Sequence, residues 1–259
     1  MQIIRKGLAV LATLMMILLT LDGCARFDCS GYIQAMLDSL YKGEHDAYAT
    51  ITKLTSDELE QNYQEGINAE IEKFLSYMNI SDNASFVDEN TRTNLRSFFQ
   101  KVYQNANYTV VEADKKGNVK ITIQPIQIFT PAKEAIDAYV NDFFARNDAG
   151  EFAELNDEAF YSQYIQGALD ILNTYADTIS YGDAITITVA VTSNKQHVYS
   201  ITDESFDSID EHILDYNSQI STSDDSTTQN NTDTPDNTAK DDTDTQDNAA
   251  KDNTKTQND

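Results

Sequence analysis

No Leu, Ile, Val, Phe, Tyr or Met occurs after Ile220 in this chain of 259 residues. A segment with no large apolar side chain to bury cannot offset the entropy of ordering its backbone. Residues 221–259 are therefore expected to be a disordered acidic tail, and the fold must be built from what precedes them. The tail consists mainly of Asp, Asn, Thr, Ser and Gln, with ten Asp against three Lys. It also repeats itself: Asp233-Thr-Pro-Asp-Asn-Thr-Ala-Lys-Asp241 returns as Asp244-Thr-Gln-Asp-Asn-Ala-Ala-Lys-Asp252. Such slippage reads as expansion of a solvated segment.

All 14 Tyr and 11 Phe lie between Phe27 and Tyr216, enough to furnish a core. Six stretches repeat apolar residues at helical spacing. The first carries Ile33, Met36, Leu37, Leu40 and Tyr41, with Asp28 or Ser30 as cap and Gly43 as stop. A long second stretch runs from Leu59 to Met78 after a Ser56 cap, and a third from Leu95 to Tyr103. The fourth follows Pro131 with Ile136, Tyr139, Val140, Phe143 and Phe144. The fifth runs from Tyr161 to Leu172, and the last holds Phe206, Ile209 and Ile213.

Two other stretches switch to period two. Tyr108–Glu112 and Val119–Gln124 flank the turn Lys115-Lys-Gly-Asn118 and read as a hairpin. Ile185, Ile187, Val189 and Val191 alternate with Thr186, Thr188, Ala190 and Thr192, and Ser193–Gln196 turns the chain into His197–Thr202. The expected fold is α+β, mostly helical, with two small antiparallel β-hairpins able to join into one sheet. Helices, hairpin and helix recur in both halves, which suggests a degenerate duplication. Residues 24–130 would form a first subdomain and 131–220 a second.

The other end of the chain is an address. Arg5 and Lys6 precede the almost unbroken apolar run Gly7–Leu21, the length of a signal h-region and short of the roughly 20 residues that span a bilayer. The run ends in Leu21-Asp22-Gly23-Cys24. This resembles the lipobox of bacterial lipoproteins, with an aliphatic residue at −3, a small one at −1 and Cys at +1. Asp22 departs from the small or weakly apolar residue usual at −2. The resemblance implies that residues 1–23 are a signal peptide, that the Cys24 thiol takes a diacylglyceryl group, and that the body is held in membrane lipid on the extracellular face. After that Cys, Phe27-Asp28-x-Ser30-x-Tyr32, Leu37-Asp38 and Tyr41-Lys42-Gly43 resemble the opening of an uncharacterised helix-rich lipoprotein family of Gram-positive bacteria. Cys29 departs from the small residue expected there. The resemblance implies location and architecture, with no catalytic residues to carry over.

Composition and motifs narrow the chemistry. A formal net charge of −25 argues against nucleic acid, which needs clustered Lys and Arg, and against electrostatic docking on anionic lipid. No Walker loop, G-x-G-x-x-G, H-E-x-x-H, G-x-S-x-G or C-x-x-C occurs. His45 sits between Glu44 and Asp46, and His212 follows Asp210-Glu211 with Asp215 one turn on. Both read as solvated helix ends rather than metal sites. Asn147–Glu151 lacks calcium-loop spacing and reads as a turn between helices. Cys29 reads as a small apolar residue near a helix start. Tyr139, Phe143, Phe144, Phe160, Tyr161 and Tyr164 read first as core, with a small-ligand or peptide pocket as the sharper reading. No cofactor is expected. The leading expectation is a non-catalytic, lipid-anchored protein that binds a ligand or surface partner. The alternative is a cell-wall or glycan hydrolase using a carboxylate pair, which the absence of Trp disfavours.

Overall fold

Asp28 opens the first helix: its carboxylate accepts from the Gly31 backbone N–H at 2.9 Å and from Ser30 Oγ at 2.9 Å. The structure, a computed structural model, describes residues 27–194 and 198–216, together with the backbone of a two-residue strand, Ile17–Leu18. Helix α1 (Cys29–Leu37) runs into a π-helical turn, Asp38–Lys42, and stops at Gly43, whose φ of 70° is left-handed. Tyr32, Ile33, Met36 and Leu37 are fully buried, so α1 is a core helix.

A short helix, α2 (Asp46–Thr52), follows; seven residues are too few to set up an apolar period. The long helix α3 (Ser56–Tyr77) is capped by Thr55, not by the expected Ser56. Thr55 and Glu58 form a reciprocal capping box, Thr55 N–H donating to Glu58 Oε2 at 2.8 Å and Glu58 N–H to Thr55 Oγ1 at 3.3 Å. A 3₁₀ segment (Ser81–Phe86) leads to α4 (Glu89–Tyr103), capped by Asp88.

Strands β1 (Asn107–Val110) and β2 (Asn118–Gln124) form the first hairpin. After β3 (Ile126–Gln127), helices α5 (Phe129–Asp148) and α6 (Asp157–Ala176) pack antiparallel, and β4 (Ser180–Tyr181) returns to pair with β3. β5 (Ile185–Ala190) then pairs antiparallel with β2, giving a sheet of order β1-β2-β5. The two halves of the chain thus join in one sheet. Its inner face carries Val119, Ile121, Ile123 and Val189, all buried, and its outer face a cross-strand row of Thr109, Thr122 and Thr186.

The second hairpin is smaller than its alternation suggests. Val191 donates its N–H to the Gly117 carbonyl at 3.0 Å, carrying the β2–β5 register one step further and away from the second hairpin. Only β6 (Thr192–Ser193) pairs with the return strand β7 (Val198–Ser200), whose other edge meets Ile17–Leu18. Helix α7 (Asp203–Ile213), capped by Thr202, closes the body. One apolar cluster draws on residues from both sides of position 130, among them Ile33, Phe74, Phe99, Phe129, Val140, Leu172 and Ile209. The expected tail, 221–259, lies outside the described residues, as does Cys24.

Candidate functional site

Two places concentrate polar chemistry. The first lies inside the body, where α3, α4, α7 and the π-helical turn meet. Glu70 on α3 is 5% exposed and its Oε2 accepts from the Tyr103 hydroxyl at 2.5 Å. Lys73, one turn on, places Nζ 3.9 Å from Glu70 Oε2 and 3.3 Å from Asp210 Oδ2 on α7. The Tyr41 hydroxyl donates to Asp210 Oδ1 at 3.3 Å, and the Lys73 ammonium lies 4.9 Å from the centre of the Tyr216 ring. Burial pushes the Glu70 carboxyl above its ordinary value despite the opposing pull of Lys73. For Lys73, burial works against the charge, but Glu70 and Asp210 outweigh it and raise the pKa. The result is an ammonium shared by two carboxylates and roofed by tyrosines. It ties α7 to α3, with a counter-charge already in place where a general acid would need a substrate.

The second place is the N-terminal end of α1. Phe27 stacks on Tyr199 of β7 with ring centroids 3.7 Å apart. Phe27, Asp28, Cys29, Ser30, Glu112, Ala113 and Asp114 line a shallow cleft of about 140 Å³. The β1–β2 turn forms its far wall. Asp114 Oδ1 accepts from the N–H groups of Lys116 at 2.7 Å and Asn118 at 2.9 Å, and Oδ2 from Asn118 Nδ2 at 2.8 Å. These bonds, those to Asn118 first, hold the Asp114 carboxyl below its usual range; for Asp28 the Gly31 N–H has the same effect. Gly117 has φ +86°, and a Cβ there would meet the Val191 carbonyl at 2.8 Å, so only glycine lets the turn press against the second hairpin.

The residues singled out by sequence are dispersed rather than gathered. His45 bridges Ser39 Oγ (Nδ1, 2.9 Å) and Glu60 Oε2 (Nε2, 3.3 Å). The order Ser–His–Glu has the outline of a hydrolytic triad, but Ser39 is 2% exposed and beyond the reach of a substrate carbonyl. His212 Nδ1 donates to the Ser208 carbonyl at 2.6 Å. Asp215 does not face His212: its buried carboxylate receives the N–H groups of Ile128, Phe129 and Thr130 at 2.8, 2.9 and 2.8 Å. It caps α5, which has no cap of its own. Among the described residues no three His, Cys, Asp or Glu side chains gather as metal ligands.

Asn147–Glu151 spans the last two residues of α5 and the turn that follows, with Gly150 at φ +83° and an Arg146–Glu151 ion pair across it. The aromatic residues beside it fill space. Phe143 touches Phe152, Phe160 and Tyr164, and the Tyr139 hydroxyl donates to the Tyr164 carbonyl at 2.9 Å. Phe144, at 40% exposed, is the most exposed of the six singled-out rings and still packs on Phe143 and Tyr164. Cys29 is half-buried in the cleft wall, its Sγ 3.9 Å from the Phe27 carbonyl.

Glu70 and Lys73 carry no sequence signal of a buried cluster, and Asp210 stands out in the sequence only as a neighbour of His212. A Glu and a Lys three apart on a helix look like a surface pair, and only the Ile67, Ile71 and Phe74 stripe around them signals that they face inward.

No helix among the described residues is long and apolar enough to cross a membrane. The chain matches no protein-family model and no curated protein. Among solved structures it is similar to the 2.62 Å crystal structure of ycdA, a candidate lipoprotein from Bacillus subtilis subsp. subtilis str. 168. The two share 16% identity and a TM-score of 0.49, over 72% of this chain and 56% of that one.

Proposed function

We propose that this protein is a surface lipoprotein, anchored in the membrane by acylated Cys24 on the extracellular face, and that its body is a non-catalytic binding module. The observation that carries the anchor is the order of Arg5-Lys6, the apolar run and Leu21-Asp22-Gly23-Cys24, followed within four residues by the Asp28-capped start of α1. A diacylglyceryl group supplies the two chains that stable anchoring needs.

The non-catalytic reading is supported by the state of the carboxylates. A glycan hydrolase needs two carboxyl groups facing a bound sugar. Glu70 and Asp210 instead converge on one ammonium, Glu70 within the core. The binding partner is a small ligand or another surface protein, and the acidity of the chain disfavours nucleic acid.

Metabolic labelling with radioactive palmitate tests the anchor. The wild type should carry label and fractionate with membranes, and Cys24→Ser should do neither. Label that persists in the variant, or never appears, refutes the anchor. Muralytic activity that Asp210→Asn abolishes would refute the non-catalytic part.

A further inference from the structure

Three residues carry the chain from Cys24 to Phe27, and an extended chain gains at most about 3.6 Å per residue, so Phe27 lies within about 11 Å of the Cys24 backbone. Phe27 is part of the body, stacked on Tyr199. A lipid on Cys24 therefore fixes which end of the body lies at the bilayer. That end is the cleft between the α1 N-terminus and the β1–β2 turn, where Gly117 approaches Cys29 Sγ.

The charge of this end differs from the rest. The chain as a whole has 43 acidic and 18 basic residues. Here Asp28, Glu112 and Asp114 are matched by Lys115, Lys116 and Lys120. Asp28 and Asp114 keep their charge, their ionised forms held by the Gly31 N–H and the turn backbone. Lys116 lies within the field of Asp114, so this end is locally neutral where the rest of the chain is acidic. Lys115 and Lys116 are exposed at the turn.

We propose that the Lys115–Lys116 turn is a second membrane contact, resting on anionic phospholipid headgroups beside acylated Cys24 and orienting the body with the α1 N-terminus toward the bilayer. The proposal rests on the anchor reading above. Attraction to an anionic surface decays over about 8 Å at physiological salt. A connection of about 11 Å is short enough to hold the turn near that range. The lipid supplies affinity; the two lysines supply orientation. Repulsion of the acidic remainder from the same surface acts in the same sense. The net charge that argues against electrostatic recruitment of the whole chain thus favours one face once the chain is tethered.

The test uses the full lipidated chain in vesicles of phosphatidylglycerol and phosphatidylcholine. Exposed amines are acylated with a membrane-impermeant ester, and each lysine is quantified by mass spectrometry relative to the detergent-solubilised chain. Lys101 is the internal reference. It sits by the β3–β4 ribbon, at the opposite end of the seven-residue strand β2 from the turn. Lys115 and Lys116 should be protected several-fold and Lys101 unchanged. In 1 M salt, where screening shortens to about 3 Å, the protection should vanish while the chain stays with the vesicles. Lipid on Cys24 with no selective protection of the two lysines overturns this proposal and leaves the anchor standing. No lipid on Cys24 overturns both.

Discussion

Removing the Asp215 carboxylate should unseat the last segment of the body from the start of α5. Asp215 is 4% exposed and accepts three backbone N–H groups that nothing local would satisfy. A hydrogen bond to a charged group contributes about 1.5–3 kcal/mol net, and loss of an N-cap costs about 0.5–2 kcal/mol. The three bonds share one carboxylate and are not additive, so Asp215→Ala should cost about 3–5 kcal/mol. Asp215→Asn keeps one acceptor oxygen but loses the other and the charge that the helix dipole favours, for about 1–2 kcal/mol. Neighbouring contacts depend on the same seat: Tyr216 stacks on Phe129 at 4.2 Å, and Leu214 bridges Ile126 in parallel. Equilibrium urea denaturation of both variants, followed by far-UV circular dichroism, gives the midpoints and slopes. For a body of this size the larger loss corresponds to a fall in Tm of about 10 °C. If Asp215→Ala loses less than about 1 kcal/mol at unchanged slope, the carboxylate is not the cap that holds the two segments together.

Gly167 and Tyr139 provide a sign-changing test, because a Cβ at Gly167 would overlap the Tyr139 hydroxyl and ring. Gly167→Ala should cost about 1–3 kcal/mol in the wild type, yet stabilise by up to about 1 kcal/mol in a Tyr139→Ala background, where only the helix preference for alanine remains. Equal costs in both backgrounds would contradict the overlap. Glu70 gives a pH signature. Its carboxyl is raised above the ordinary 4.5 by burial, so the folded state holds the proton more tightly than the unfolded state. Its contribution to stability therefore falls as pH rises from about 4.5 through the folded-state value. Urea midpoints across that window should favour the wild type over Glu70→Gln most at the acid end, and parallel curves would refute the raised carboxyl.

Legibility in the sequence followed the range of the interaction. Helices α1, α3, α4, α5, α6 and α7 showed themselves because each buries a stripe recurring every three or four residues, a pattern internal to the segment. The short α2 had no room for such a stripe, and the cap of α3 moved by one residue because Thr55, not Ser56, stands three before Glu58. The alternation of Ile185–Val191 marks a strand, and the two hairpins do join through it, but the join takes nearly all of its length and leaves the second hairpin only Thr192–Ser193. Period two states that one face is buried and says nothing of which strand lies alongside, and β2 took that place.

The same argument separates the two kinds of site. An acylation signal is read by enzymes along an extended chain, so everything that supports the proposed lipid on Cys24 lies within its own two dozen residues. The Lys73–Asp210 pair joins positions 137 apart, and Asp215 reaches a helix start 87 residues before it. Each of those carboxylates looks, in its own segment, like one more solvated acid in an acidic chain. Asp210 and Asp215 lie beside His212, where local spacing suggests at most a weak metal ligand set. In the fold they serve two different distant partners, Lys73 on α3 and the first turn of α5. The acidity of α7 and the residues after it is therefore not only a solubility device: two of its carboxylates fasten the end of the body to helices from both halves of the chain. The membrane-facing assignment of Lys115 and Lys116 has the same character. Neither the lysines nor the lipid signal implies it alone; it follows from the short connection to Phe27 and from the folding of the β1–β2 turn against the start of α1.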